Sequence, residues 1–348
     1  MKSEFRSTSL ADSGAIASFL QRVLEIGPEH PVVEPRHLHW KNWDDRADWP
    51  GSRGYIISKG SEIVAHGSII PLACQLGGKR LNVVHLIDWA AEPTSVGSGV
   101  SLLRRIGQLA DLILVVGGSE MTKQILPKLG FQIRGQVTRY ALPLRPMRRL
   151  AGQTDLGLRS AAQFARSLLW SLQAPSGWPD GWEARQIAAG DLAQTAIQWP
   201  KRASKIALFE RSAEAITYFL RCPAAPMELY AVTQAGSIRG YFLIAFAPAQ
   251  ARIVDLWIDS GDRQDWRTLV QLAVRKAKQN REAAEVVSMS NDALTSQGLL
   301  DCGFHARGNL PLFLLARAGS DSPDRPIRFQ MIDGDAAYLH AGCNEFWA

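Results

Sequence analysis

Between Val83 and Phe131 the chain reads VVHLIDWAAEPTSVGSGVSLLRRIGQLADLILVVGGSEMTKQILPKLGF, and this stretch restricts the possible folds more than any other. Its first run, Val83 to Trp89, is apolar and rich in β-branched residues, and Pro93 ends it. Such a run reads as a buried strand, because a strand covered on both faces need not alternate. Leu102, Leu103, Ile106 and Leu109/Ala110 then recur at helical spacing, which puts Gly97 and Gly99 where a strand passes into the first turn of a helix. The first N–H groups of a helix have no internal acceptor and its dipole is positive there, so this junction has the outline of an anion site; glycines let a phosphate approach the backbone without a Cβ in the way. A second apolar run, Leu112 to Val116, leads to Gly117-Gly118, a short helix from about Ser119 to Leu129, and Gly130-Phe131.

Strand, glycine loop, helix, strand, loop, helix and Gly-Phe is the order of the acyl-CoA-binding half of the Gcn5-related N-acetyltransferases, and the stretch resembles that superfamily. The family loop reads Arg or Gln, two residues, Gly, one residue, then Gly or Ala. Here it is Thr94-Ser95-Val96-Gly97-Ser98-Gly99, in which both glycines fit and Thr94 departs. The ending Leu126-Pro127-Lys128-Leu129-Gly130-Phe131 looks like the family's helix-to-strand corner. The resemblance implies an α/β fold with a mixed sheet and acetyl-CoA or another acyl-CoA as co-substrate, without a metal. It also implies that Ala90, Ala91, Thr94, Ser95, Val96, Gly97, Ser98, Gly99, Val100 and Ser119 line the acyl-CoA site.

With 348 residues the chain is too long for one average domain and suits two. The second half repeats the first. Glu183-Ala184-Arg185 with Gly190-Asp191 echoes Glu4-Phe5-Arg6 with Ala11-Asp12, and Gly236-Ser237-Ile238-Arg239-Gly240 echoes the hairpin around Gly60-Ser61. Gly303-Phe304 and Arg307-Gly308 stand at one constant offset from Gly130-Phe131 and Arg134-Gly135. A repeat this long implies duplication of a whole domain. The expected organisation is a first acyltransferase-like domain over 1–145, a linker with a bridging helix (Leu156 to Leu172) over 146–180, and a second domain over 181–348. In the second domain Asp259-Ser260-Gly261-Asp262-Arg263-Gln264-Asp265 replaces the glycine loop, and carboxylates at a helix start repel phosphates. The second unit is therefore read as degenerate, keeping the fold without the CoA site.

Hydrophobic residues make up 46% and charged residues 21%, a globular composition; no apolar run is long enough to span a bilayer, and Met1-Lys2-Ser3-Glu4 opens no signal peptide, so a cytoplasmic location is expected. Cys74, Cys222, Cys302 and Cys343 lack metal-ligand spacing and read as free thiols. A net charge of +6 suits an anionic ligand, and without a Lys/Arg stripe it does not indicate nucleic acid. Asp12 or Ser13 caps a helix from Gly14 to Leu24. Gly27 to Pro35 reads as a proline-rich loop, and Arg36 to Trp43 after it, with His37 and His39, as an aromatic-rich mobile segment over a pocket mouth; two histidines one residue apart do not share a helix face, so no metal site is expected.

Acyl transfer to an amine needs a bound thioester, a base for the acceptor's ammonium proton, polarisation of the carbonyl and an outlet for the thiolate. Asp88 and Glu92 lie at the carboxyl end of the central strand and share a face, unless a bulge or the turn at Pro93 breaks the alternation. Either carboxylate is a candidate base; Asp88 as a structural hydrogen-bonding residue is the alternative. His66 and His85 have the intrinsic pKa of a base, against their reading as satisfied core histidines. The family's acid, a tyrosine, falls by spacing at Leu126, so the thiolate leaves unassisted or with Ser119, itself a natural helix N-cap. The acceptor is expected to be a small-molecule or glycan amine or hydroxyl, with an amino sugar of surface-polysaccharide synthesis as the instance the resemblance implies. Two alternatives stand beside this: a FemABX-like aminoacyl-tRNA-dependent transferase, and a non-catalytic binding protein of the same fold.

Overall fold

The computed structural model describes residues 3–76, 79–150, 158–194, 206–317, 326–339 and 346–348. The start of the helix expected from Leu156, and Cys343, lie outside them. In chain order the first half runs β1 (Ser3–Ser7), α1 (Ser13–Leu24), α2 (Pro35–Asn42), β2 (Gly54–Lys59), β3 (Glu62–Leu76), β4 (Lys79–Ala91), α3 (Ser98–Ile106), β5 (Leu112–Val116), α4 (Glu120–Lys128) and β6 (Gln132–Pro143). There follow α5 (Pro146–Leu150), α6 (Leu158–Ser171), β7 (Trp182–Gln186), α7 (Ala189–Gln194), β8 (Ala207–Leu208), α8 (Ala213–Leu220), β9 (Met227–Gln234), β10 (Ser237–Ala247) and β11 (Gln250–Ile258). The chain continues through α9 (Arg263–Gln279), β12 (Glu285–Ser290), α10 (Ala293–Asp301) and β13 (His305–Ala316).

These elements form two compact units whose membership does not follow chain order. Unit 1 holds 1–135, 204–210 and 311–327; unit 2 holds 136–203, 211–310 and 328–348. The first break between the units falls at Gly135/Gln136, and the Pro311–Ala316 part of a late strand belongs to the early unit.

Unit 1 is built on a sheet in the order β1-β2-β3-β4-β5-β13. The pairs β1–β2, β2–β3 and β3–β4 are antiparallel, β4–β5 is parallel, and β13 closes the set antiparallel to β5 from Leu312 opposite Val116 to Ala316 opposite Leu112. On one face Val84, Leu86, Ile69 and Tyr55 bury the Leu102, Leu103 and Ile106 stripe of α3, with Leu126, Phe131 and Phe313 completing the core. Unit 2 repeats the plan with β7-β9-β10-β11-β12-β6, in which β11–β12 is the parallel pair and β6 lies antiparallel to β12. Its core gathers Phe242, Ile253, Leu256, Trp266, Leu269 and Leu299. A mixed sheet with helices packed on it, present twice, is the fold class expected from the sequence.

Two local expectations need correction. The segment Pro35 to Asn42 is a helix: Pro35 occupies its first turn, the Glu34 carboxylate accepts from His37 N at 2.6 Å, and His37, Leu38, Trp40, Lys41 and Asn42 are buried. Asp12 occupies the N-cap of α1 without capping it with its side chain. Its carboxylate instead takes two hydrogen bonds from Arg6, at 2.7 and 2.8 Å, and one from Ser9 N. Leu168 and Leu169 on α6, and Leu172 just after it, are exposed.

Candidate active site

The strand β4 hands over to α3 through two tight turns. Ser95 N donates to Glu92 O at 2.9 Å and Ser98 N to Ser95 O at 3.1 Å, and Gly97, at φ +81°, takes the left-handed conformation that precedes the helix. A Cβ on Gly99 would stand 3.0 Å from the Cβ of Ala91, and Trp89 Nε1 donates to Gly99 O at 3.0 Å, so the first turn of α3 lies directly against the end of β4. Thr94 to Val100 therefore form one corner, followed by helical N–H groups with no acceptor inside the helix. Ala90 and Ala91 are the last residues of β4 beside it. Ser119 is the N-cap of α4 after β5, its hydroxyl accepting from Thr122 N at 3.2 Å.

The ladder between β4 and β5 ends at His85 opposite Leu114, while β4 runs on to Ala91 and β5 to Val116. The two strands part at the level where the glycine corner begins. Within the parting, β4 is bulged: Ile87 pairs with Ser68 and Ala90 with His66, so Asp88 and Trp89 oppose the single residue Gly67. Asp88 is the strained member, at φ +49°. The bulge breaks the alternation that would put Asp88 and Glu92 on one face.

The re-aimed Asp88 carboxylate meets the Lys41 ammonium of α2, and the two side chains are 4% and 3% exposed. Burial pushes the Asp88 carboxyl up, and Lys41, helped by His66 and His37, more than offsets this and holds it below the ordinary carboxylate range. His66 is fully buried with its Nδ1 3.4 Å from Asp88 O, and its Nε2 has no partner among the described residues. Burial lowers its pKa to about 4; the Asp88 charge works against this and the Lys41 charge with it. At neutral pH the cluster holds an ionised carboxylate and a neutral imidazole beside Lys41.

The neighbours of Lys41 fix its helix. Arg53, 1% exposed, donates to Lys41 O at 2.8 Å, Trp40 O at 3.0 Å and Asp44 O at 2.7 Å, a guanidinium set on the negative end of α2. Ser68 Oγ donates to Asn42 Oδ1 at 2.8 Å, tying the same helix end to β3. Of the four candidate catalytic residues, the structure gathers Asp88 and His66. Glu92 is drawn to the Arg22 guanidinium of α1 at 3.0 Å, and His85 sits buried in β4 opposite Ile70. Leu126 is a core residue. Lys41, Asn42 and Arg53 escape sequence reading because polar residues at inward positions erase the apolar stripe of α2; the Glu34-Pro35 pair at its start was the readable signal.

The matching corner of unit 2 differs. β11 and β12 part after Ile253 opposite Ser288, but Arg328 reaches in, donating to Leu256 O at 2.8 Å and Thr295 Oγ1 at 3.1 Å, with its guanidinium 4.8 Å from the Trp257 ring centre. Gln330 bridges to Ser290. At the start of α9 the Asp262 carboxylate already accepts from Gln264 N at 2.8 Å. Among the described residues no group of three His, Cys, Asp or Glu side chains is placed to hold a metal, and no helix is long and apolar enough to cross a membrane.

No protein-family model and no curated protein matches the chain. Solved structures do. A Gcn5-related N-acetyltransferase from Anabaena variabilis superposes with a TM-score of 0.59 at 11% identity, over 90% of this chain and 72% of that one. Saccharomyces cerevisiae N-myristoyltransferase with bound myristoyl-CoA gives 0.60 at 14%, over 97% and 84%. A tandem protein of the Gcn5-related type from the clavulanic acid biosynthesis pathway gives 0.56 at 13%, over 92% and 100%. The chain has the mixed α/β fold of the Gcn5-related N-acetyltransferases, including tandem ones.

Proposed function

We propose that unit 1 is an acyl-CoA-dependent N-acyltransferase. One observation carries the reading: β4 and β5 part at His85/Leu114, and a glycine-started helix corner stands at the same end of β4. A parted pair of strands leaves unpaired backbone edge for the amides of a pantetheine arm, and a helix N-terminus receives a pyrophosphate. In this reading Val96 to Val100 hold the phosphates, Thr94 and Ser95 flank them, and Ala90 and Ala91 offer the strand edge. Ser119 lies at the end of β5 and shapes the far side.

Asp88 is our candidate for the group that takes the acceptor's proton, directly or through one water. Lys41 keeps it in the deprotonated form that task requires, at a cost in basicity. His66, neutral and with a free Nε2, is the second candidate, and His85 and Glu92 come after it. With Leu126 in place of a donor, the thiolate departs without a side-chain acid unless Ser119 supplies the proton. The acceptor is an amine, or a hydroxyl; an amino sugar of a surface-polysaccharide pathway is our specific choice, supported by the resemblance described above and by the aromatic residues of α2. Such chemistry belongs in the cytoplasm. We read unit 2 as the degenerate copy, since Arg328 fills its parting and Asp262 its helix start.

A second reading, a CoA-binding protein without turnover, draws on the ion pairs that occupy both Asp88 and Glu92. Calorimetry with acetyl-CoA followed by turnover of Asp88→Asn separates the two. Removal of a positioned base costs about 10²–10⁴-fold, so we expect kcat to fall by at least about a hundredfold with CoA affinity intact. Unchanged kcat with a folded protein removes Asp88 from the chemistry. Absence of CoA binding by the unaltered chain removes the reading altogether and returns attention to an aminoacyl-tRNA donor.

A further inference from the structure

Unit 2 carries a further concentration of charge. Arg139 comes from β6, Arg166 from α6 and Arg307 from the His305–Leu310 part of β13, which belongs to unit 2, and they collect around two indoles. The Arg166 and Arg307 guanidinium carbons lie 4.8 and 5.4 Å from the Trp170 ring centre, the His305 ring stacks on Trp170 at 3.7 Å, and Arg139 lies 5.5 Å from the Trp347 ring. Arg307 Nε donates to Trp347 O and His305 Nε2 meets Gln173 Oε1 at 3.1 Å. Among the described residues no carboxylate forms an ion pair with any of the three arginines. Glu285, the acid whose charge reaches Arg307, is occupied by Gln250 Nε2 at 2.7 Å, Trp347 N at 2.8 Å and Ala348 N at 2.9 Å.

Two costs are visible. The Nε atoms of Arg139 and Arg166 are buried with no acceptor, and a buried donor left without a partner is destabilising. The positive groups also oppose one another: burial and then Arg166 hold Arg307 below its ordinary pKa, and burial, Arg307 and Arg166 do the same to His305. Three cations, two of them with an orphan Nε, want an acceptor-only, negatively charged group. Guanidinium forks match the spacing of phosphate oxygens and bind them through paired, charge-assisted hydrogen bonds.

We infer that Arg139, Arg166 and Arg307, set around Trp170 and Trp347, form a binding site for a phosphate group. The site is independent of the acyl-CoA reading of unit 1. The phosphate has two possible sources, a free or small-molecule phosphate and a lipid headgroup. Leu168 and Leu169, exposed on the same α6, and Leu172 just after it give the second source an apolar foothold.

The test is a titration of the full chain with inorganic phosphate against chloride at matched ionic strength, followed by thermal melting and calorimetry. We expect phosphate to raise Tm above the chloride control, and Arg166→Met and Arg139→Met, which keep an aliphatic stem on the indoles, each to weaken its binding about tenfold or more. Flotation with phosphatidylglycerol and with phosphatidylcholine vesicles then assigns the source: retention on the anionic vesicles, lost in both variants, identifies a headgroup, and retention on neither identifies a soluble phosphate. Phosphate binding that survives both variants, or vanishes in Gly97→Asp, places the anion elsewhere and overturns the inference. So does a phosphate titration indistinguishable from chloride when the anionic vesicles also fail to bind.

Discussion

Asp88 and Lys41 face each other with almost no water, so neither charge is tolerable without the other. Lys41→Met leaves a buried, unpaired carboxylate and should destabilise the protein by about 3–5 kcal/mol, whereas Lys41→Met with Asp88→Leu should recover most of that loss. Urea denaturation of the two singles and the double gives the coupling directly; additive losses would show that the pair is not an energetic unit. His66 supplies a pH dependence with a defined sign. Its folded pKa of about 4 lies below the unfolded value near 6.5, so between those limits the unfolded chain binds more protons. Stability attributable to His66 is then complete above about pH 6.5 and falls by about 3 kcal/mol on acidification to pH 4. His66→Gln should flatten that part of the profile. Asp333 of unit 2, pushed up to about 6 by burial, slopes the other way over a similar range, so the informative quantity is the difference between variant and parent. The Asp88 contribution is lost only at lower pH, because its carboxyl titrates below the ordinary carboxylate range.

At the scale of elements, β4, α3, β5 and the Gly130-Phe131 corner were legible because a buried strand, an amphipathic helix and a glycine turn each leave a period or a breaker in the sequence. The α2 helix was not: Lys41 and Asn42 point inward to Asp88 and Ser68, and an inward lysine looks like a solvated one until its partner is known. The same holds for the bulge, since Asp88 at φ +49° is written nowhere in the spacing of its neighbours. Asp88 and His66 could be named as candidates from residue type and strand position alone; that they converge, while Glu92 turns to Arg22, depends on which residue absorbs the bulge. The two helix starts offer a direct comparison. Gly97 adopts φ +81° and Gly261 has open space around it with no such requirement. Gly97→Asp adds strain and a carboxylate at the proposed phosphate position and should abolish acetyl-CoA binding; Gly261→Asp should leave it unchanged. Equal loss in both, measured by calorimetry, would place a ligand at each helix start.

For the whole molecule, the membership of the units matters more than their number. Sequence order gave two repeats laid end to end, and nothing in Gln132–Pro143 or His305–Ala316 announces which sheet each will finish, because a closing strand has the same composition wherever it docks. Most of β6, from Gln136 on, belongs to unit 2, and the Pro311–Ala316 part of β13 belongs to unit 1. A fragment ending at residue 150 therefore lacks the strand that covers β5. We expect it to be aggregated or poorly structured by circular dichroism and sedimentation, and expect a linker carrying Pro311 to Arg317 after residue 130 to restore a soluble monomer. A well-folded, soluble 1–150 fragment would show that β13 is dispensable to unit 1.

The same arrangement sets the timing of biosynthesis. The ribosome finishes β5 early, yet the strand that seals its edge emerges only after β7 to β12 have all been made. Throughout that interval the nascent chain displays an open, apolar strand edge, the surface most prone to pairing with a neighbour. Folding of the early unit is in this sense post-translational, and its yield in a cell should depend on holding chaperones and on the rate at which the last third of the message is read.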